Sequence, residues 1–487
     1  MQMTNGDSPP AVQRAIVLQG GGALGAYDAG VLKALCKKIH QIIGNNRKKK
    51  ENVFDILAGT SSGAINASIV SGIVTREIDK AEEERNEPDF EKIWDDAIER
   101  LEEFWMHLSV LSGAEKDPLF DKRWETYKKF NESAASPNAA RRWYATRQFL
   151  QYGADNVFKA PVEIKDEKFF DRYNTWYQYD NSPLRNSLTG CDCFPIASRL
   201  DKRHPRLLLV AVDVKEGVAV TFDSYEKDSD GFRFSEYEGD EDSKYKIPYN
   251  DGVTEDHVLA SASVPVNYKY VELKDSSNTT HHYWDGGWLS NTPLRELIGE
   301  HQSFWTRTIT DAVLESDMWK KRNQRPKKVP DLRVYITNVW PRSAASLPKD
   351  HDKVVERSRD MFFLDKTDHD EKVVNLIDDY IRLVKEMRKL GLSNASNKAT
   401  YNKALAGLMD DPAATSEDPQ KGGRRNVDLV KGRLDVRVCR IQLAPQEDSI
   451  SAKFFDFSRR TVKELMEKGF EDGMKQFEDI FSDGSNR

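Results

Sequence analysis

Short apolar runs, each followed by a glycine-rich turn, occur twice near the beginning of the chain. The run Ala15–Gln19 (AIVLQ) precedes a set of glycines and then apolar residues at helical spacing between Leu24 and Leu35. The run Phe54–Ala58 (FDILA) precedes a second glycine-containing turn and the small-residue stretch Ala64–Val74. In each unit the pattern predicts a buried strand, a turn and a helix. Two such units in succession predict a parallel sheet with crossover helices, which is an α/β fold.

From about residue 76 to residue 200 this alternation stops. Apolar residues between Ile93 and Leu108 recur at helical spacing with acidic residues between them, which predicts an amphipathic helix. A helix packed on the domain and a lid that contacts lipid share this pattern, and the packed helix is the commoner. Aromatic residues interleaved with Lys and Arg accompany this helix: Trp124, Tyr127, Trp143, Tyr144, Phe149, Trp176 and Tyr177. Such residues can form a belt at a membrane interface, but they are more often buried beside basic side chains that reach solvent.

Strand patterns resume after residue 200. The runs that predict strands are Arg206–Val214, Val218–Phe222, His282–Asp285, Leu332–Val339 and Leu434–Leu443. The runs that predict helices are Val258–Val264, Leu294–Gly299, Glu371–Leu390 and Asp456–Phe477, the last with Ser458 as its N-cap. Between them, Glu226–Lys244 predicts a solvated loop or hairpin tip, and residues 410–425 predict a flexible linker.

The composition excludes several classes of protein. The chain has 487 residues, 38% of them hydrophobic and 31% charged, and a formal net charge of −7. A chain of this length can bury most of its apolar surface, so global disorder is excluded. The mildly acidic balance argues against a dedicated nucleic-acid binder, which usually has a basic face.

Targeting signals and cysteines narrow the setting further. The first ten residues are polar and lack the apolar region of a signal peptide, and no apolar run approaches the length of a membrane span. We therefore expect a cytoplasmic protein that meets a membrane only at its surface, if at all. The four cysteines are too few for a disulfide framework. Cys191-x-Cys193 has no second pair beside it, so no metal site is expected.

The first glycine motif is Gly20-Gly21-Gly22-Ala23-Leu24-Gly25, between a predicted strand and a helix. Glycine lets the backbone turn sharply and present N–H groups at the start of a helix, which favours a negative charge there. The hexapeptide also matches the dinucleotide fingerprint, a match that is weak on its own. A dinucleotide site would need a ribose-selecting residue about 20 positions further on, where Asn45–Lys50 has the character of a solvated basic loop.

The second motif, Gly59-Thr60-Ser61-Ser62-Gly63, also lies between a predicted strand and a helix. A Gly-x-Ser-x-Gly sequence in this setting is a nucleophile elbow, in which a tight turn exposes the central serine, here Ser61. Ser62 has the wrong offset from the two glycines. The alternative is a crossover turn with a helix-capping serine.

A nucleophilic serine needs a base, and histidine is the usual one. The chain has nine histidines, and none, including His281, His282 and His301, lies in a recognisable triad setting. A carboxylate at a strand end stands out instead, in Asp285-Gly286-Gly287, followed by Asn291. Alone, an Asp-Gly pair would indicate a turn.

Taken in this order, the three motifs resemble those of the patatin-like phospholipase family. The similarity covers residues of about 12–75 and 200–300, and Phe454–Gly469 resembles the C-terminal extension of a bacterial-type subgroup. Residues 76–200 lie outside this similarity. This chain departs from the family pattern at Leu24, a position where the family often has a basic residue. The resemblance implies a three-layer α/β fold with a mainly parallel central sheet flanked by helices.

The resemblance also implies the site. In it, Ser61 is the nucleophile and Asp285 the proton acceptor of a Ser–Asp dyad without histidine. The residues implied as oxyanion-hole donors are Gly20, Gly21 and Gly22, and those implied as motif support are Gly25, Gly59, Gly63, Gly286 and Gly287. No cofactor or metal is implied. The expected function is a serine acyl hydrolase, of the phospholipase A type, that releases fatty acids from phospholipid or other lipid esters.

We expect the chain to have two parts. Residues 12–300 form a catalytic domain whose residues 76–200 are a mostly helical insert, and residues 301–487 form an extension that completes the sheet. Two alternatives remain open. One is an α/β-hydrolase-type esterase with a Ser–His–Asp triad that uses a late histidine such as His301 or His369. The other is a catalytically silent module that binds a dinucleotide or a membrane.

Overall fold

The structure is a computed structural model. It describes residues 10–44, 51–131, 135–160, 177–225, 234–237, 247–248, 251–274, 278–314, 329–394, 398–410 and 434–478. The predictions for Asn45–Lys50, for Trp176, for nearly all of the linker at 410–425 and for most of Glu226–Lys244 fall outside these residues.

Strands and helices are numbered separately in chain order. The strands are β1 Val12–Leu18, β2 Ile56–Thr60, β3 Gly153–Ala154, β4 Phe158–Lys159, β5 Arg206–Asp213, β6 Val218–Asp223, β7 Phe234–Tyr237, β8 Ile247–Pro248, β9 Val271–Lys274, β10 Thr280–Asp285, β11 Asp331–Asn338 and β12 Val436–Gln442. The helices are α1 Gly25–Ile43, α2 Ser62–Glu83, α3 Phe90–Leu108, α4 Gly113–Lys116, α5 Phe120–Phe130, α6 Pro137–Tyr152, α7 Ser182–Thr189, α8 Glu255–Ala262, α9 Leu294–Leu314, α10 His351–Phe363, α11 Asp368–Asn394, α12 Lys398–Asp410 and α13 Arg459–Gln476.

Five parallel strands, in the order β12-β11-β1-β2-β5, form the centre of the main sheet. Beyond β5 the sheet continues through β6, β7 and β8 with antiparallel pairing. Alternate side chains of β1 pack on opposite faces of the sheet, Ile16 and Leu18 on one and Ala15 and Val17 on the other. A sheet with an apolar core on both faces needs helices on both sides, and this confirms the predicted three-layer α/β fold.

The register along β5 brings two strand ends together. Strand β6 occupies one edge of β5, and both β2 and β10 pair with the other edge. Strand β2 runs parallel to β5 and ends with Thr60 opposite Val210, whereas β10 runs antiparallel and ends with Asp285 opposite Ala211. The carboxyl ends of β2 and β10 therefore meet on adjacent positions of one strand.

The helix predicted between Ile93 and Leu108 is packed on the domain, as the commoner of the two interpretations expects. Helix α3 contacts α1 and α2 and buries Trp94 and Trp105 almost completely. The indole N–H of Trp105 donates to Oδ1 of Asn66 on α2, at 2.7 Å. The aromatic residues that accompany α3 differ in solvent exposure: Phe149 is fully buried, whereas Tyr127, Trp143 and Tyr144 are about half exposed.

Two smaller differences from the sequence predictions concern a helix cap and a loop. Ser458 precedes α13 as predicted, but its hydroxyl does not cap a backbone N–H group of the helix and donates to the Asp456 side chain instead. Four residues of the predicted loop at 226–244, Phe234–Tyr237, form β7. Over the ranges that the structure describes, no helix combines the length and the apolar character needed to cross a membrane.

Candidate active site

Ser61 occupies a strained turn between β2 and α2. Its backbone has φ 55° and ψ −124°, in the region that non-glycine residues rarely adopt. Its N–H donates to Oγ of Ser261 at 3.0 Å. The Ser61 hydroxyl caps no N–H group of α2, which removes the helix-capping alternative. A residue held at such dihedral angles by its surroundings is typical of a functional site.

The two glycines of the elbow are required by close backbone contacts. A Cβ atom at position 59 would lie 2.3 Å from the carbonyl oxygen of Gly63, and a Cβ atom at position 63 would lie 2.1 Å from that of Leu18. Any side chain at either position would force the turn open and move Ser61.

Asp285 is buried at the end of β10, with 2% of its surface exposed. Its Oδ1 accepts a hydrogen bond from the N–H of Gly287 at 2.7 Å. Its Oδ2 is buried and has no hydrogen bond of standard geometry from any residue that the structure describes. Burial raises the pKa of Asp285 from its ordinary value of 3.8 to about 6, and the nearby Ser61 hydroxyl and the Gly287 N–H oppose that rise.

Gly286 lets the chain turn directly after Asp285. A Cβ atom there would lie 2.2 Å from the carbonyl oxygen of Val210 on β5 and 3.0 Å from Cγ2 of Thr60. The aspartate can therefore follow β10 and still lie against the end of β2 because position 286 has no side chain.

The glycine loop supplies fewer free donors than the three expected. The N–H of Gly20 donates to the carbonyl oxygen of Asn291 at 3.2 Å, and the N–H of Gly21 donates to Oγ of Ser62 at 2.9 Å. The N–H of Gly22, whose φ is 57°, has no hydrogen-bond partner among the described residues. Of the three predicted oxyanion donors, Gly22 alone is thus uncommitted, and Gly25 begins α1 beside Ser62.

Most of the residues that hold the glycine loop have no motif or spacing that could identify them from the sequence. The carbonyl oxygen of Gly20 accepts the indole N–H of Trp340 at 2.6 Å and the side-chain N–H of Asn291 at 3.2 Å. Gln19 accepts the backbone N–H groups of Val339 and Trp340 with its Oε1. Only Asn291, six residues after Asp285, carried a sequence signal.

A cavity of about 440 Å³ contains Ser61, Asp285 and the three loop glycines. Most of the rest of its wall is apolar, and it comes from several parts of the chain. The lining residues of the 76–200 segment are Trp105, Leu108, Val157, Asn181 and Leu184, and the apolar ones beyond residue 300 are Trp340, Phe362, Phe363, Phe454, Phe455 and Phe457. An apolar cavity of this size with polar groups at one point is typical of a site for an apolar small molecule.

Histidine is absent from this site. All nine histidines lie in the described ranges, and none lines the cavity. His301 is fully buried and contacts the carbonyl oxygen of Pro330 at 2.8 Å through Nε2, and burial lowers its pKa to about 3. His369 is exposed. The geometry therefore disfavours the Ser–His–Asp alternative.

Comparison with known proteins gives a match that fits this geometry. The sequence matches the family described as patatin-like phospholipase over residues 16–298. It matches no curated protein. Among solved structures, VipD from Legionella pneumophila is similar with a TM-score of 0.27 and 10% sequence identity, covering 96% of this chain and 67% of VipD. The family match spans more than half of the 487 residues, and the chain accordingly belongs to the patatin-like phospholipase family of lipid acyl hydrolases.

Proposed function

We propose that the protein is a serine acyl hydrolase that releases fatty acids from phospholipid or other lipid esters, with Ser61 as nucleophile and Asp285 as proton acceptor. The observation that carries this proposal is the meeting of β2 and β10 on one edge of β5, which brings the two residues together. Both also line one largely apolar cavity. A nucleophile and a base at one point of such a cavity suit attack on an ester whose acyl chain lies against its walls.

In the first step, Oγ of Ser61 bonds to the ester carbonyl carbon and its proton passes to Oδ2 of Asp285. That oxygen accepts no other hydrogen bond from the described residues. A carboxylate is a weak base for a hydroxyl group, but burial raises the pKa of Asp285 to about 6. The higher pKa makes the carboxylate a stronger base at neutral pH.

The negative charge that develops on the carbonyl oxygen needs donors. We assign this role first to the N–H of Gly22, because the N–H groups of Gly20 and Gly21 already donate to Asn291 and Ser62. Loss of one such donor in other hydrolases lowers the rate by about 10²–10³. Gly20 and Gly21 then act by shaping the loop.

The intermediate collapses when the bond to the alcohol oxygen breaks and that oxygen takes the proton from Asp285. Water then attacks the Ser61 ester and gives its proton to Asp285. The bond to Ser61 breaks, Oγ regains the proton, and the fatty acid leaves.

The test is hydrolysis of a series of p-nitrophenyl acyl esters by the wild type, Ser61→Ala and Asp285→Asn. We expect each variant to lose about a thousandfold or more in kcat/KM, because the two residues act as one unit. Full activity of homogeneous Ser61→Ala would contradict the proposal.

Two histidine variants address the triad alternative with the same substrates. We expect His369→Ala, at an exposed position, and His301→Gln to keep turnover. Loss of turnover in a folded His301→Gln protein, together with activity in Asp285→Asn, would favour the triad.

A further inference from the structure

Among the described residues, one cationic side chain lines the active-site cavity. Of the residues in its wall, Asp285 and Arg359 are the charged ones. Arg359 lies on α10, on the same wall as Ser358, Phe362 and Phe363, and its side chain is half-buried.

The guanidinium of Arg359 forms no ion pair with any residue that the structure describes. Nη1 donates to the carbonyl oxygen of Ser451 at 2.6 Å, and the group lies 5.1 Å from the ring centroid of Phe454. Burial lowers the pKa of Arg359, and the charge of Asp352 opposes this only in part. That direction is expected when the loss of solvent outweighs the attraction of neighbouring anions. Most of its N–H donors have no acceptor among the described residues.

Phe454 connects this cation to the proposed oxyanion donor. The Arg359 guanidinium lies over the ring of Phe454. The backbone carbonyl oxygen of Phe454 would lie 2.4 Å from a Cβ atom at position 22, so it packs directly against Gly22. Arg359 and Gly22 thus contact two parts of the same residue and line the same cavity, so an anion bound by Arg359 and an ester carbonyl bound at Gly22 would share that cavity. In a glycerophospholipid only part of the glycerol backbone separates the ester carbonyl from the phosphate, whereas in a neutral lipid no anion occupies that position.

We propose that Arg359 binds the phosphodiester of a glycerophospholipid substrate and so sets the preference of the active site for phospholipids over neutral lipids. This proposal rests on the proposed function. The planar guanidinium offers paired N–H donors that match phosphate oxygens, and such charge-assisted bonds are stronger than neutral ones. The fatty-acid carboxylate of the product is a second anion that could use the same donors, and the test separates the two.

The first arm compares two soluble esters that differ only at the third glycerol position, dihexanoylphosphatidylcholine and dihexanoylglycerol. We expect Arg359→Met to lower kcat/KM for the phospholipid by about tenfold to a hundredfold, mainly through KM. We expect its loss on the neutral ester to be at least tenfold smaller. Arg359→Lys should recover part of the phospholipid activity, because it keeps the charge but not the paired donors.

Arg357→Met is the matched control. Arg357 lies two residues away on the same helix, and its guanidinium donates to the carbonyl oxygens of Pro341 and Arg342, outside the active-site cavity. It should leave the ratio of the two activities unchanged. Equal losses on both substrates in Arg359→Met, or no loss on the phospholipid, would overturn the proposal in favour of a purely structural arginine.

The second arm measures binding without turnover. Tryptophan fluorescence of Ser61→Ala, with and without Arg359→Met, is titrated with dihexanoylphosphatidylcholine and with hexanoate, since Trp105, Trp288 and Trp340 line the cavity. We expect Arg359→Met to raise the phospholipid Kd about tenfold and to leave the hexanoate Kd unchanged. A change confined to hexanoate would assign Arg359 to the product carboxylate and overturn the proposal. Absence of hydrolysis by the wild type would instead contradict the proposed function, and this arm would still test Arg359.

Discussion

At the scale of single residues, the two proposed catalytic groups are both held in states that an isolated residue would avoid. Ser61 has a positive φ, which costs about 1–3 kcal/mol. Asp285 is buried with its pKa raised from 3.8 to about 6, which corresponds to about 3 kcal/mol at neutral pH. The fold thus gives up stability at the point where we place the chemistry.

Asp285→Asn should stabilise the protein while removing activity. Because the folded-state pKa lies above the unfolded one, the ionised carboxylate destabilises the fold, and this loss grows as pH rises from about 4 through about 6. We expect Asp285→Asn to raise the free energy of unfolding by up to about 3 kcal/mol at pH 7.5. Urea unfolding of both proteins measures the difference, which should disappear near pH 4. A variant less stable than the wild type at pH 7.5 would contradict this account of Asp285.

The same titration should appear in the kinetics. Asp285 accepts a proton only when it is ionised, so kcat/KM should rise about tenfold per pH unit below pH 6 and level off above it. The pH profile with p-nitrophenyl butyrate measures this limb. A profile without a limb between about pH 5 and pH 7 would remove Asp285 as the base.

At the scale of elements, helices α1 and α13 lie close enough for backbone to touch backbone. A Cβ atom at Gly30 on α1 would lie 1.9 Å from the carbonyl oxygen of Met466, and one at Gly469 on α13 would lie 2.1 Å from that of Tyr27. Because α1 begins directly after the glycine loop, this contact fixes the helix that carries the proposed oxyanion donor.

Gly469→Ala should therefore destabilise the protein by about 1–3 kcal/mol, the usual cost of overpacking. Gly299→Ala is the control: it is also a helical glycine, but it has no atom within 4 Å of the new methyl group. This control should stabilise the protein by up to about 1 kcal/mol, since alanine favours a helix. Equal effects of the two substitutions on urea unfolding would show that the α1–α13 contact is loose.

Part of this arrangement of elements could be predicted from the sequence and part could not. Strands β1 and β2 and the two glycine turns can be predicted from the sequence, because each apolar run, glycine turn and helical pattern lie next to one another in the chain. The meeting of Ser61 with Asp285 is not local, since it depends on both strands pairing with β5. The pairing of Ser61 with Asp285 could therefore be expected only from the resemblance of the motifs to a known family. The hydrogen bonds of the Gly20 and Gly21 N–H groups to Asn291 and Ser62 could not be predicted from the sequence either. Asn291, the partner of Gly20, is 271 residues away in the chain.

At the scale of the whole molecule, the cavity that contains Ser61 and Asp285 is lined by residues of both the insert and the segment beyond residue 300. Trp105 comes from the first and Phe455 from the second, and both face the cavity that holds Ser61. We therefore propose that residues 12–300, although they carry both proposed catalytic residues, do not form a complete active site alone. Acyl-chain preference should depend on residues far from the three motifs.

Trp105→Ala should shift the optimum of the p-nitrophenyl ester series toward longer acyl chains, because it removes a large side chain from the cavity wall. Trp143→Ala is the control, since Trp143 lies in the same insert but is 41% exposed and does not line the cavity. An unchanged chain-length profile in folded Trp105→Ala would place the acyl chain elsewhere.

The central claim, that Ser61 is activated by Asp285, is tested most directly by covalent labelling with a fluorophosphonate ester followed by peptide mass spectrometry. We expect one label, on Ser61, in the wild type, none on Ser61→Ala, and labelling of Asp285→Asn that is slower by at least a hundredfold. A label on Ser62 or on another serine, or an unchanged labelling rate in Asp285→Asn, would contradict it.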